Sequence, residues 1–159
     1  MECALKRVGL NVSLAKSSKE LSKADIVILP GVGNFKTASK RIKPFKPAIS
    51  KVVNEGVPLL GVCLGMQILF EESEESSGEG LSLLKGRVLK LPSHVKTPHM
   101  GWNTIKILRW NPLLEGVKEN SYFYFVHSYY AQPADRKIIV AETTYGVNFT
   151  SVIADKNIY

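Results

Sequence analysis

Two continuous apolar runs, DIVILP at 25–30 and VPLLGVC at 57–63, constrain this chain more than any other feature. Runs of aliphatic residues without polar alternation read as strands buried on both faces. Two helical stretches lie between them. The first ends near KPFKP (43–47), and the second runs from about Ala48 to Glu55, where Gly56 closes it. Strands joined through a helical crossover lie parallel, and a sheet apolar on both faces needs helices over both. The expected core is therefore α/β, a mostly parallel sheet with helices on both faces.

The second half reads differently. RVLKLP (87–92), TIKIL (104–108), YFYFVHSYYA (122–131), KIIVAETTY (137–145) and NFTSVIADKN (148–157) are strands or hairpins separated by turn residues, with Gly146 as the turn glycine of one hairpin. Extra antiparallel strands thus adjoin the parallel core. Toward the N-terminus, residues 2–8 are expected to be helical with Gly9 as a left-handed cap. LNVSLA (10–15) alternates like a short strand, and Ser17 with Glu20 forms a weak capping box. LGMQILFEESEE (64–75) is expected to form a helix that leads into an exposed, low-complexity loop, EESEESSGEGLS (71–82). At 159 residues, 45% of them hydrophobic, the chain fits a single domain, 1–159, with one core.

A formal net charge of +7 raises nucleic acid as a partner. The lysines and arginines are dispersed, however, and EESEE (71–75) interrupts them, which is the pattern of a solvated basic surface or of a face for an acidic protein. No apolar run approaches the roughly 20 residues that span a bilayer, and MECALKRVGL lacks the apolar segment of a signal peptide. The cytoplasm is the expected location, with neither nucleic acid nor membrane as partner. The two cysteines, Cys3 and Cys63, make no CxxC pair and no disulfide framework. His94, His99 and His127 are too scattered for a zinc site, so no metal or cofactor is expected.

The chemistry concentrates in GVCLGMQ (61–67), where G-x-C-x-G has the spacing of a nucleophile elbow. A nucleophile on a sharp strand-to-helix turn needs small neighbours so that backbone can pack closely on either side. Its side chain then projects at the C-terminal edge of the sheet, where open α/β folds bind ligands. A helix starting at Leu64 favours a thiolate and offers N–H groups to an oxyanion. The competing reading is a buried structural thiol, since free cysteine is among the most buried residue types. Placement at the end of a buried strand favours the nucleophile. PGVGNF (30–35) follows the other buried strand and should reach the same sheet edge, where Gly31, Val32 and Gly33 can turn a donor toward an oxyanion. It lacks the Lys-Ser/Thr of a phosphate loop, and a plain turn explains it equally well in isolation.

Four segments, PGVGNF, GVCLGMQILFEESEE, PHMGWN (98–103) and YFYFVHSYY (122–130), in this order and spacing, resemble the class I glutamine amidotransferases. More narrowly, they are similar to the glutaminase subunits of imidazole glycerol phosphate synthases, of histidine biosynthesis. The resemblance runs from about Lys23 to the C-terminus. Met66, where many class I glutaminases have a histidine, points to this subgroup together with PHMGWN and YFVHSY.

The resemblance implies a flavodoxin-like fold and hydrolysis of L-glutamine, with ammonia passed to a (β/α)8-barrel cyclase subunit in a heterodimer. Cys63 would attack the side-chain amide and form a glutamyl thioester. Leu64 N–H and the Gly31–Gly33 loop would form the oxyanion hole. Gln67, Glu75 and the backbone around Ser128 and Tyr129 would bind glutamine, with Glu75 on its amine, and Trp102 and Tyr124 would face the partner. His99 and His127 are expected to be structural, hydrogen-bonded histidines rather than bases.

The family's catalytic histidine and glutamate lie in an HPE segment just after the strand that KNIY (156–159) is expected to begin. The first strand of the family's domain is likewise not among residues 1–159. These residues alone are therefore expected to be inactive as a glutaminase, because the thiol lacks a proton acceptor. Two other classes share the elbow: a dienelactone-hydrolase-like cysteine hydrolase acting on esters, and a non-catalytic module that keeps the fold and docks on a barrel. Glutamine-analogue electrophiles separate them, because only the glutaminase is labelled strongly at Cys63.

Overall fold

A computed structural model describes residues 1–159. Strands β1 (Val27–Gly31) and β2 (Leu59–Cys63) pair in parallel, with Val27 opposite Leu59 and Gly31 opposite Cys63. Helices α1 (Glu2–Arg7) and α2 (Ser18–Leu21) precede them, and α3 (Phe35–Ile42), a 3-10 turn over Lys43–Phe45 and α4 (Lys46–Asn54) form the crossover between them. Asn34 starts α3 by accepting from the Lys36 and Thr37 N–H groups, the usual work of an N-cap asparagine. Pro44 and Pro47 fall in the first positions of the 3-10 turn and of α4, where a missing N–H removes no helical bond. Phe35, Ile49 and Val52 from the crossover pack in one core with Leu59, Leu69 and Phe70.

Residues 157–159 extend the parallel sheet along the other edge of β2. Leu59 N–H donates to Asn157 O, Tyr159 N–H to Leu59 O, and Gly61 N–H to Tyr159 O, each at 2.8 Å. KNIY thus enters the sheet beside the strand that carries Cys63.

Three expectations need correction. The helix after Cys63 does not reach residue 75: α5 is a single turn, Leu64–Gln67. The carbonyls of Ile68, Leu69 and Phe70 accept instead from the amides of Leu81, Leu83 and Ser82. Ile68, Leu69 and Phe70 are all buried. A longer helix would carry at least one of three consecutive apolar residues away from its core-facing stripe, whereas leaving the helix buries all three. The segment expected as an exposed loop then forms β3 (Glu72–Ser73), parallel to β4 (Gly86–Lys90), and buries Leu81. LNVSLA is not a strand either. It pairs with no sheet edge, and its Leu14 is 81% exposed.

The C-terminal half is antiparallel, with boundaries that differ from the sequence reading. PHMGWN is itself a strand, β5 (His99–Thr104), followed by β6 (Lys106–Ile107), which divides TIKIL between two strands. The run at 122–131 breaks at Ser128 into β7 (Tyr122–His127), which pairs with β5, and β8 (Tyr129–Pro133), which pairs with β4. β9 (Ile139–Thr144) lies between β6 and β10 (Asn148–Ile153), and Gly146 turns the β9–β10 hairpin at φ +69°. No helix of the molecule is long and apolar enough to cross a membrane.

Candidate active site

Cys63 ends β2 at φ 56°, ψ −115°. A non-glycine residue at positive φ costs about 1–3 kcal/mol and persists only where the surroundings over-determine it. The glycines of the elbow supply that determination. A Cβ on Gly61 would stand 2.7 Å from Met66 N, and one on Gly65 would stand 1.6 Å from Leu29 O. Single hydrogen atoms at both positions let α5 fold directly over the ends of β1 and β2. The Cys63 residue is exposed, which removes the reading of a buried structural thiol. It opens into a hollow of about 460 Å³ whose walls include Met66, Gln67, His127, Tyr129 and Tyr159.

The four residues expected to bind an oxyanion lie together. Gly31 is the register partner of Cys63, and Gly31, Val32, Gly33 and Leu64 line a second hollow of about 330 Å³ beside it. Gly33 sits at φ +111°, which disfavours any side chain, and Val32 is 93% exposed. With one turn, α5 contributes the N–H groups at its start rather than a long aligned dipole.

Gln67 is buried, and its Nε2 donates to Tyr129 O at 2.9 Å. The structure thereby joins two of the residues expected around glutamine. The carbonyl of Ser128 accepts from Leu91 N–H at 2.9 Å, which pins the break between β7 and β8. Glu75 lines neither hollow. Its Oε2 accepts from Phe35 N–H at 2.6 Å, tying the start of α3 below the glycine loop, and Ser76 Oγ accepts from the next amide, Lys36.

Trp102 and Tyr124 are register partners in the β5–β7 ribbon and meet edge-to-face with ring centroids 5.6 Å apart. Both are exposed, as are Met100, Tyr122 and Val126 on the same face, so neither is a core aromatic.

One arrangement was missed at the sequence level. His127 Nδ1 lies 3.0 Å from Tyr129 O, its Nε2 lies 3.1 Å from His99 Nδ1, and Asn103 Nδ2 lies 3.4 Å from His99 Nε2. Both imidazoles are held below the ordinary histidine range by burial; for His127 the bond to Tyr129 O opposes this and the charge of His99 adds to it. The available signal was the spacing: in a strand, residues 99 and 103 share a face.

The whole chain, residues 1–159, matches the family model for glutamine amidotransferase class-I. The chain belongs to the class I glutamine amidotransferase family. Among relatives of this amidotransferase, the imidazole glycerol phosphate synthase subunit HisH of Methanocaldococcus jannaschii is 53% identical over 149 residues, covering 93% of this chain and 76% of the relative. The subunit of the same name from Pyrococcus furiosus is 52% identical, covering 88% of this chain and 73% of the relative. A crystal structure of a glutamine amidotransferase superposes at a TM-score of 0.76 and 18% identity, over 99% of this chain and 79% of that one. The structure of PurLQS from Thermotoga maritima superposes at 0.65, also with 18% identity, over 92% of this chain and 70% of that one. At such identities the structures attest to the amidotransferase fold alone.

Proposed function

We propose that this chain is the glutaminase subunit of an imidazole glycerol phosphate synthase of histidine biosynthesis. It hydrolyses the side-chain amide of L-glutamine and hands ammonia to a (β/α)8-barrel cyclase subunit. The observation that carries the reading is the exposed Cys63 at positive φ, held by Gly61 and Gly65 with Gly31 as its register partner. The names of the relatives in Methanocaldococcus jannaschii and Pyrococcus furiosus support the narrower assignment.

In this reading the Cys63 thiolate attacks the amide carbon of glutamine, and the oxyanion meets N–H groups of Leu64 and the Gly31–Gly33 loop. Collapse expels ammonia once the leaving nitrogen takes a proton from the acid–base group assigned below, and leaves a glutamyl thioester, which water cleaves to glutamate. Gln67 and the Ser128–Tyr129 backbone shape the glutamine subsite. Glu75 keeps Oε1, the oxygen not bound to Phe35, for the substrate amine. Trp102 and Tyr124 face the cyclase.

The base is neither His99 nor His127, because the ring nitrogens of both are already hydrogen-bonded within the protein. We assign it to the histidine–glutamate pair of the family's HPE segment. Residues 1–159 by themselves should then hydrolyse glutamine at least about 100-fold more slowly than a protein containing that pair.

The test is Cys63→Ala in the full-length subunit bound to its barrel partner, with glutamate release as the readout. Glutamine hydrolysis should disappear while the cyclase still turns over with added ammonia. Retained hydrolysis removes Cys63 as nucleophile.

A further inference from the structure

The wall of the Cys63 hollow opposite β2 is built on a continuous polar chain that the mechanism leaves unused. Its members are Asn103, His99, His127, the Tyr129 carbonyl and Gln67, linked at 3.4, 3.1, 3.0 and 2.9 Å. The partners assign every proton. Tyr129 O only accepts, so His127 carries its hydrogen on Nδ1 and presents Nε2 as an acceptor. His99 must then donate from Nδ1, leaving Nε2 as the acceptor for Asn103 Nδ2. The Asn103 amide cannot turn over without loss, because its Oδ1 accepts from Thr104 N–H at 2.8 Å and its Nδ2 also donates to Thr144 O at 3.1 Å. The donors therefore all point one way from Asn103 to Tyr129 O, and that carbonyl also accepts from the Gln67 carboxamide on its other side.

Packing holds the rings as firmly as the hydrogen bonds do. His99 is buried, stacked between Tyr145 at 4.0 Å and Phe125 at 5.1 Å, and Phe149 lies 4.7 Å from His127. A core that needed only shape at these positions would be served by phenylalanine, without polar groups to satisfy. Two neutral histidines with all four ring nitrogens bonded are an expensive way to fill space. What they deliver is a fixed carbonyl at Tyr129.

We propose that His99 and His127 are positioning residues for the glutamine subsite: the pair fixes Tyr129 O, which turns the Gln67 amide so that Oε1 faces the hollow beside Cys63. This deepens the glutaminase reading and rests on it. The pair touches neither substrate nor thiol; it acts through Tyr129 and Gln67.

The test uses the full-length subunit in complex with its barrel partner and two alkylating probes of Cys63. One is a diazoketone analogue of glutamine, which must occupy the subsite; the other is iodoacetamide, which need not. His127→Phe keeps the ring and deletes the chain, and His99→Phe removes the donor to His127 and the acceptor of Asn103 while leaving His127 its bond to Tyr129 O. In both, labelling by the glutamine analogue should slow about tenfold, the size of one hydrogen bond lost from a binding site. Labelling by iodoacetamide should stay within about twofold in a protein that still melts cooperatively. His127→Asn, whose side-chain amide can occupy the Nδ1 position, should restore analogue labelling to within about threefold of the parent. KM for glutamine should rise more than kcat falls.

Equal slowing of both probes, or no slowing of either, overturns the relay while leaving the glutaminase intact. Failure of His127→Asn to restore labelling also overturns it, since a role confined to packing predicts no rescue by a smaller amide. A parent complex that iodoacetamide labels at Cys63 and the glutamine analogue does not overturns the glutaminase reading, and the relay with it.

Discussion

At the residue scale, Cys63 shows a functional group and a structural cost in one place. Its φ of 56° suits glycine, yet glycine has no thiol. The strain belongs to the backbone, so it survives removal of the sulfur. Cys63→Gly should be more stable than Cys63→Ala by about 1 kcal/mol, because only glycine relaxes at this φ. Urea unfolding of the two variants checks this, and an alanine variant as stable as the glycine variant would contradict strain at residue 63. Both variants should lose glutaminase activity, so stability and activity part at this one residue. The elbow was legible in the sequence because its requirements are local: glycines two positions either side of the cysteine, at the end of an apolar run. The roles of Gln67 and His127 were not legible in the same way. Their partner, Tyr129 O, is a main-chain atom whose position depends on where β7 ends and β8 begins.

At the scale of elements, the parallel strands and their crossover could be read from apolar runs and caps, whereas the antiparallel ribbon could not. PHMGWN alternates His99, Gly101 and Asn103 against Met100 and Trp102, with apolar residues on the exposed face and polar ones on the buried face. That inverts the usual strand pattern, which is why the segment did not read as a strand. The inversion places His99 opposite His127 in the β5–β7 register. The titratable groups facing the pair are each other and the Tyr145 phenol, whose Oη donates to Lys96 O at 2.8 Å. Burial lowers both histidines in the folded state, so the unfolded chain takes up protons first as pH falls. Stability is then full above the ordinary histidine value of about 6.5 and declines below it. Urea unfolding at about pH 7.5 and pH 5.5, above the carboxylate range, should give a lower midpoint at the acidic value. The double variant His99→Phe/His127→Asn should flatten that difference. An equal slope in the double variant would place its origin elsewhere.

For the whole molecule, the question is why a stable fold leaves Met100, Trp102, Tyr122, Tyr124 and Val126 on one exposed face. Monomeric proteins rarely carry contiguous apolar patches of this kind without a partner. The ribbon that bears them also walls the Cys63 hollow, which Tyr124 and Val126 line together with Phe125 and His127, so the exposed apolar face adjoins the thiol's hollow. That geometry suits a subunit whose product leaves toward its partner. Because Trp102 and Tyr124 meet edge-to-face and are 69% and 56% exposed, truncating them leaves no cavity in the core. Trp102→Ala with Tyr124→Ala should change unfolding free energy by no more than about 0.5 kcal/mol. The same pair of substitutions should weaken association with the barrel subunit by at least about 30-fold, as expected for two aromatic hot spots at the centre of an interface. Titration calorimetry of the two subunits, beside urea unfolding of the isolated one, measures both quantities. Unchanged association would move the interface off the β5–β7 face. A large loss of stability would mean that the aromatic pair supports the ribbon itself rather than a partner.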